Sequence, residues 1–446
     1  MSTFAPPPTG PDDDVDPGPL ELPGRRLPPS LAHFLHTEVA GGVVLLVAAV
    51  VALVWANSSW RGGYEALWTT ELTLRLGGAV LSEDLRHWVN DALMALFFFV
   101  VGLEIKRELV VGDLKDPRTA ALPAFAALGG MAVPAAVYLV VTGGGPGGHG
   151  WGMPMATDIA FALGLVALLG RRVPSSLKLF LLTLAIVDDI GAIVVIAVFY
   201  SSGVEGPALA AALALLGTIV VMRRAGVTWA PIYVILSIGV WLATFESGVH
   251  ATIAGVALGL LTSASPRFEE VAPAQWVQDV DEVDPAGARR VAGLARASVS
   301  DAERLQHALH PWTSFGVVPL FALANAGVLL RGDAFEPAGA GTVALAVGLG
   351  LVVGKLVGVT GFTWLAVRLG LGSLPPGVRW SQVVGIAGVA GVGFTVSLFI
   401  AGLAFDPDSG LEPAAKVGVL GASAVAALVG AATLVAANRR STAPSP

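Results

Sequence analysis

Long apolar runs separated by short polar loops dominate the chain. A helix needs about 20 mostly apolar residues to cross the hydrocarbon core of a bilayer. Twelve stretches meet or approach that length: residues 39–56, 88–110, 120–141, 154–169, 177–200, 207–222, 230–245, 248–262, 311–330, 343–367, 381–403 and 414–437. The fourth and eighth are short, and the placement of basic residues is what makes them spans. With loops assigned alternately to two sides, 20 Lys and Arg fall on one side and 5 on the other, namely Arg61, Arg75, Arg86, Arg331 and Lys416. Lys355 lies inside a span. The basic side is cytoplasmic, so both termini are expected inside and the number of spans is even. The expected fold is an all-α membrane protein with twelve transmembrane helices.

The segments outside this pattern differ from one another. Residues 1–30, with PPPTGPDDDVDPGP, carry too little apolar surface to fold and are expected to be a disordered tail. They do not begin with a basic segment followed by an apolar run, so they do not read as a signal peptide. Residues 31–440 form the expected membrane domain, and 441–446 a C-terminal tail. The outward loop 57–87 contains LTLRL between turn-like residues, which predicts a small hairpin. The inward loop 263–310 is rich in charge and Ala; its second half predicts an amphipathic helix, and it is a candidate regulatory segment.

Composition agrees with the spans. Hydrophobic types make up 54% of the chain and charged types 13%, where a soluble domain carries about 25% charged residues. The 55 glycines suit close approach of membrane helices. With no cysteine there are no disulfides, thiolate metal sites, Fe–S clusters or cysteine nucleophiles. The net charge of −7 says little, because in a membrane protein the placement of charge outweighs its sum. Neither a cofactor nor a nucleic-acid partner is expected.

A few charges sit where hydrocarbon should be. Asp188 and Asp189 are central in 177–200, and Lys355 is central in 343–367. Asp158 sits early in the fourth span, with Asp91 and Glu104 near the outer and inner ends of the second. A central charge costs about 2.5–3.5 kcal/mol on insertion scales. A static ion pair with Lys355 accounts for one acid and leaves at least two. Adjacent helix positions point about 100° apart, so Asp188 and Asp189 have different surroundings: one can pair with Lys355 while the other faces a water-filled cavity. Carboxylate oxygens favour hard cations, and a carboxylate removed from water holds a proton more readily. A group that binds one or the other, exposed alternately to each side, exchanges them.

Two enzyme classes with paired membrane aspartates fit poorly. Intramembrane proteases would need a GxGD segment, which is absent, and prenyltransferases DDxxD, where this chain reads DDIGAI. A passive cation channel is a further alternative, but two adjacent central acids with a lysine suit a tight, proton-coupled site better. The fourth span follows GPGGHGWGMP and reads MATDIAF, while the eleventh contains GIAGVAGVGFTVS. Interrupted segments in matching places of two halves point to a binding site at the bilayer midplane.

The segments NDALMALFFFVVGLEIKREL, ATDIAFALG, LAIVDDIGAI, SGVHATIAGV, HALHPW, PLFALANAGV and GFTVSLFIA, in that order, closely resemble the NhaA family of Na⁺/H⁺ antiporters. The resemblance spans about residues 33 to 437. It implies inverted repeats and two broken, crossing helices, with the third to fifth spans matching the tenth to twelfth. It implies electrogenic, pH-regulated export of Na⁺ or Li⁺ in exchange for external protons, in an inner membrane, by a homodimer joined through the hairpin around Leu72–Leu76. By the same resemblance Asp189 is the principal ion-binding carboxylate, and Asp188, its neighbour, pairs with Lys355; the transported Na⁺ would meet this pair. Thr157 and Asp158 match the unwound crossing of the fourth helix. Glu104, Glu108, His250 and Asp91 match residues of the pH response or of ion access. One position departs from the family: the glutamate usually found before the histidine of HxLHPW is here Gln306, which cannot titrate.

Overall fold

The computed structural model describes residues 29–439 except 77–78, 202, 266–298, 331–334 and 407–408. The expected C-terminal tail, nearly all of the N-terminal tail and most of the inner loop lie outside these residues. What is described is mostly helical, and its long apolar helices make it a multi-pass membrane protein.

Helix α1 runs Pro29–Ala56 and α2, a short surface helix, Arg61–Trp68. Strands β1 (Glu71–Leu76) and β2 (Ala79–Asp84) pair antiparallel, with Glu71 opposite Asp84, which is the hairpin expected around LTLRL. Then follow α3 (Leu85–Val110) and α4 (Pro117–Thr142). Asp116 caps α4 by accepting the Arg118 N–H at 3.0 Å, and Gly143 ends it in the left-handed region at φ 61°. A 3₁₀ stretch, Pro146–Met155, leads to α5 (Ile159–Leu168). Next come α6 (Ser175–Phe199), α7 (Gly206–Arg224), α8 (Ala230–Glu246) and α9 (Thr252–Leu261). Arg223 and Arg224 in the last turn of α7 complement the helix dipole.

Helix α10 consists of Asp301–Trp312, a π turn Thr313–Val317 and Val318–Asn325. The amphipathic helix expected at the end of the inner loop and the ninth span are therefore one continuous helix. Pro311 does not end it, because the ladder widens into the π turn just beyond. Residues 326–330, expected inside the span, are not helical. Helix α11 (Ala340–Arg368) also contains a π turn, Gly350–Gly354, directly before Lys355. The chain closes with α12 (Trp380–Val389), α13 (Phe394–Ala404) and α14 (Leu411–Arg439).

Among the described residues, seven helices are long and apolar enough to cross a membrane, and two bent pairs bring the number to nine. The pairs are the 3₁₀ stretch with α5, bent by 43°, and α12 with α13, bent by 47°. The segment GPGGHGWGMP, read from sequence as a poor helix former, is this 3₁₀ stretch. Its glycines deny it a regular α-helix, and a tighter winding takes its place.

The helices pack as two groups. One comprises α4, α6, α11, the two bent pairs and α14; the other comprises α1, α3, α7, α8, α9 and α10, and the two are joined where α5 packs extensively against α1. Glycines set the closest contact of the first group. A Cβ built on Gly358 of α11 would lie 2.1 Å from the Gly129 carbonyl oxygen of α4, and one on Gly354 would lie 2.7 Å from Pro134 Cα. That approach presses Lys355 against α4 and α6. Lys416, whose charge counts with the outer side, lies at the start of the expected run 414–437; it sits in the second turn of α14 and is 8% exposed. The acidic and proline residues before it (DPDSGLEP) resemble a loop, yet α14 begins at Leu411 and carries the lysine into the protein.

Candidate functional site

The two bends meet. Residues 156–158 between the 3₁₀ stretch and α5 are extended, and residues 390–393 separate α12 from α13. Their freed backbone groups satisfy one another, as hydrocarbon surroundings demand: the Asp158 N–H donates to the Val392 carbonyl at 2.7 Å. Asp158 caps α5 through Oδ1, which accepts the Phe161 N–H at 3.0 Å. Its Oδ2 accepts both the N–H (3.0 Å) and the hydroxyl (2.8 Å) of Thr395 at the start of α13. One carboxylate thus sits at the N-termini of two half-helices, where the dipoles favour negative charge.

Thr157 joins this junction to α6 and α11. Its Oγ1 stands 2.8 Å from Asp188 Oδ2 and 2.9 Å from the Ala390 carbonyl oxygen, and its single proton serves one of them at a time. Lys355 Nζ donates to Asp188 Oδ2 at 2.5 Å and to Thr157 Oγ1 at 2.9 Å. The side chains of Lys355 and Asp188 are both fully buried. Gly130 packs beside them: a Cβ there would crowd Val359 Cγ2 at 2.9 Å and touch Lys355 Nζ and Asp188 Oδ1 at ordinary contact distances of 3.6 and 3.7 Å.

Asp189 is 6% exposed and, among the described residues, accepts no hydrogen bond from the protein. It lines a cavity of about 70 Å³ together with Phe97, Glu104, Thr157, Asp158 and Thr395, and with His310 and Thr313 of α10. A volume of about 10–15 Å³ on this measure holds one water, so there is space for several waters or a partly hydrated cation. Glu104 and His310 lie in the halves of α3 and α10 next to the basic loops.

The structure therefore brings Asp188, Asp189, Thr157, Asp158 and Lys355 together, with Glu104 at the cavity wall. The other sequence-predicted residues stand apart. Asp91 borders a small recess with His87, Trp88 and Trp241. The His250 ring Nε2 lies 2.6 Å from the Tyr200 carbonyl oxygen. Glu108 accepts the Asp113 N–H at 3.1 Å, and Gln306 Oε1 lies 3.4 Å from Arg107 Nη1.

Over residues 32–434 the chain matches the family model described as Na⁺/H⁺ antiporter 1. The chain belongs to the NhaA family of Na⁺/H⁺ antiporters. Its relatives include an NhaA antiporter of Rhodopirellula baltica, 48% identical over 94% of this chain and 96% of the relative. An NhaA 3 antiporter of Frankia alni is 48% identical, with 94% and 91% covered, and an NhaA antiporter of Rhizobium meliloti 43%, with 94% and 98%. As a member of this family the chain is a secondary transporter carrying out Na⁺/H⁺ exchange, not an enzyme.

Sequence reasoning missed the partners that the second break supplies, Thr395 and the carbonyls of Ala390 and Val392, and also His310 of α10 at the cavity wall. For Thr395 a signal was present, a hydroxyl just after the glycine-rich interruption in GVGFTVS. The carbonyls carry no sequence signal, because any residue provides one.

Proposed function

We propose that this chain exports cytoplasmic Na⁺, and Li⁺ by the same chemistry, in electrogenic and pH-regulated exchange for external protons. It would do so from a cell inner membrane, with both termini in the cytoplasm. Counting α8, α9 and α10 as spans beside the nine gives the twelve that the charge asymmetry requires. The meeting of the two bent pairs supports crossed, broken helices in inverted repeats. Residues 31–440 would be the antiporter domain, flanked by the two tails, with lipid around it and the β1–β2 hairpin joining a homodimer.

The reading rests above all on Asp189, a buried carboxylate that, among the described residues, accepts no hydrogen bond and lines a cavity with room for water. In it Asp189 ligates the ion directly, and Thr157 and Asp158 stand beside the same cavity. Asp188 alternates between Lys355 and a proton. Protons load from outside, the site turns inward, and cytoplasmic Na⁺ displaces them and is carried out. Glu104 would draw cations into the cavity. Glu108, Gln306 and Arg107, clustered at the inner end of α3, would set the pH response together with His250, and Asp91 would act at the outer end. Replacing Asp189→Asn is expected to abolish exchange without preventing insertion. The check is sodium-dependent proton release from everted vesicles; persistent release would refute the assignment.

A further inference from the structure

Beside the α1–α5 contact, the two helix groups meet along a seam where α10 packs on α13 and where α3 and α14 reach across through side chains. Toward one end the seam holds the ion cavity, at Glu104 and His310. Toward the other end it carries a polar bridge. Lys416 Nζ of α14 lies 3.4 Å from Asn325 Oδ1 of α10, and Asn325 Nδ2 donates to Asn90 Oδ1 of α3 at 2.7 Å. Glu412, one turn before Lys416, holds the same ammonium at 2.7 Å. At 1.5 Å rise per residue, Asn90 stands about 20 Å along α3 from Glu104, and Asn325 about 20 Å along α10 from His310. Between bridge and cavity, Phe399 of α13 packs on Phe98 of α3 (5.5 Å between ring centres) and on Phe321 of α10 (6.3 Å). Asn90 belongs to the π turn Trp88–Leu93 of α3, a winding often found at functional positions.

The Asn90–Asn325–Lys416 chain is suited to parting. Asn325 and Lys416 are 5% and 8% exposed, so while the seam is shut their polar atoms depend on each other. If the seam opened at this end, water would replace the lost partner of each amide, and the Glu412 carboxylate would still neutralise the ammonium within α14. A contact satisfied in both arrangements, but by different partners, separates two states cleanly and stores little strain. We infer that Lys416 is a positioning residue for the transport cycle: through Asn325 to Asn90 it holds the outer end of the seam closed while the ion cavity is open inward. This rests on the proposed antiport function and deepens it by naming what must part before the site faces outward.

The chain contains no cysteine, so one introduced thiol reports alone. With Val396→Cys in the cavity wall, labelling by a membrane-impermeant maleimide is measured separately in right-side-out and everted vesicles. Adding Lys416→Met is expected to raise the outside labelling rate about tenfold, the scale of one lost hydrogen bond to a charged group, and to lower the inside rate. Asn325→Ala should do the same while leaving the Lys416–Glu412 pair intact, which keeps the test open if Lys416→Met fails to insert. An unchanged outside rate overturns the proposal. So does an equal rise from both sides, which signifies general loosening. Labelling does not require exchange, so failure of the antiport function would appear separately, as vesicles of the native chain without sodium-dependent proton movement.

Discussion

Lys355 and Asp188 offer a double-mutant cycle whose size follows from their surroundings. Neither side chain is exposed, and the ammonium has two recorded acceptors, Asp188 Oδ2 and Thr157 Oγ1, at 2.5 and 2.9 Å. Asp188→Asn leaves the ammonium with neutral partners. Lys355→Met, close to it in length, leaves the carboxylate with a hydroxyl. Breaking a buried pair from one side costs about 3–5 kcal/mol, because the remaining charge is left uncompensated. Unfolding entropy near 2.1 cal/mol/K per residue gives roughly 0.9 kcal/mol/K for a chain of 446 residues. Each single variant should therefore lose about 3–5 °C in apparent Tm. The double variant buries no charge at this pair and should recover most of that loss, giving an interaction energy of at least about 2 kcal/mol. Thermal unfolding of purified protein in detergent, read by tryptophan fluorescence, measures all four corners. A single variant within about 1 °C of the native chain, or a double variant as unstable as the sum of the singles, would refute the account. Exchange should stay absent in the stable double variant, which separates the transport role of the pair from its structural one.

Thr157→Val keeps the shape of the side chain and removes the hydroxyl on which Lys355, Asp188 and the Ala390 carbonyl converge. The lost hydrogen bonds should raise the apparent KM for Na⁺ about tenfold, measured from the sodium dependence of exchange in everted vesicles. Gln306→Glu gives Arg107 a charged partner at the inner end of α3 and should shift the pH profile of exchange; an unchanged profile would count against any control at this position. Gly358→Ala places a methyl group 2.1 Å from the Gly129 carbonyl oxygen. It should destabilise the protein by about 1–3 kcal/mol through overpacking, seen as a lower Tm in detergent, whereas Gly361→Ala, with nothing within 4 Å, should be neutral.

Much of the fold could be read from the chain because membrane spans leave a coarse signal. Seven of the expected runs match the seven long helices found among the described residues, most of which reach a few residues beyond them, and LTLRL forms the hairpin. The weaker readings failed for identifiable reasons. Proline in HPW suggests a helix start, yet α10 passes through it, because a π turn absorbs the local strain. The expected twelfth run starts at 414 because the residues before Lys416 are acidic and rich in Pro and Gly, although the helix starts at Leu411. The pairing of Asp188 with Lys355 agrees with the geometry: helical periodicity forced two neighbouring aspartates into different surroundings, and the resemblance indicated which faces the lysine. Thr395 and the backbone carbonyls of the second break were out of reach. Their role comes from a contact between residues more than 230 positions apart, as in Thr395 with Asp158, and periodicity carries no information about such pairs.

The three buried carboxylates differ in how much binding capacity the protein leaves them. Asp158 accepts a backbone N–H on one oxygen and an N–H with a hydroxyl on the other, so a proton or a cation would have to compete with donors already in place. Asp188 shares Oδ2 between an ammonium and a hydroxyl, while its Oδ1 is buried without a hydrogen-bond partner. Asp189, among the described residues, accepts no hydrogen bond and lines the cavity. Exchange requires a group whose two ligands, proton and sodium, bind in comparable strength; one already saturated by the protein binds neither, and one locked to a lysine changes partners only when the lysine does. On the proposed function this ordering makes Asp189 the exchanging ligand and Asp188 a coupled second one. It also fixes the consequence for Lys355: each proton that reaches Asp188 weakens the hold on the ammonium, so the charge of Lys355 is drawn into the cycle and does not stand outside it as a static counter-ion.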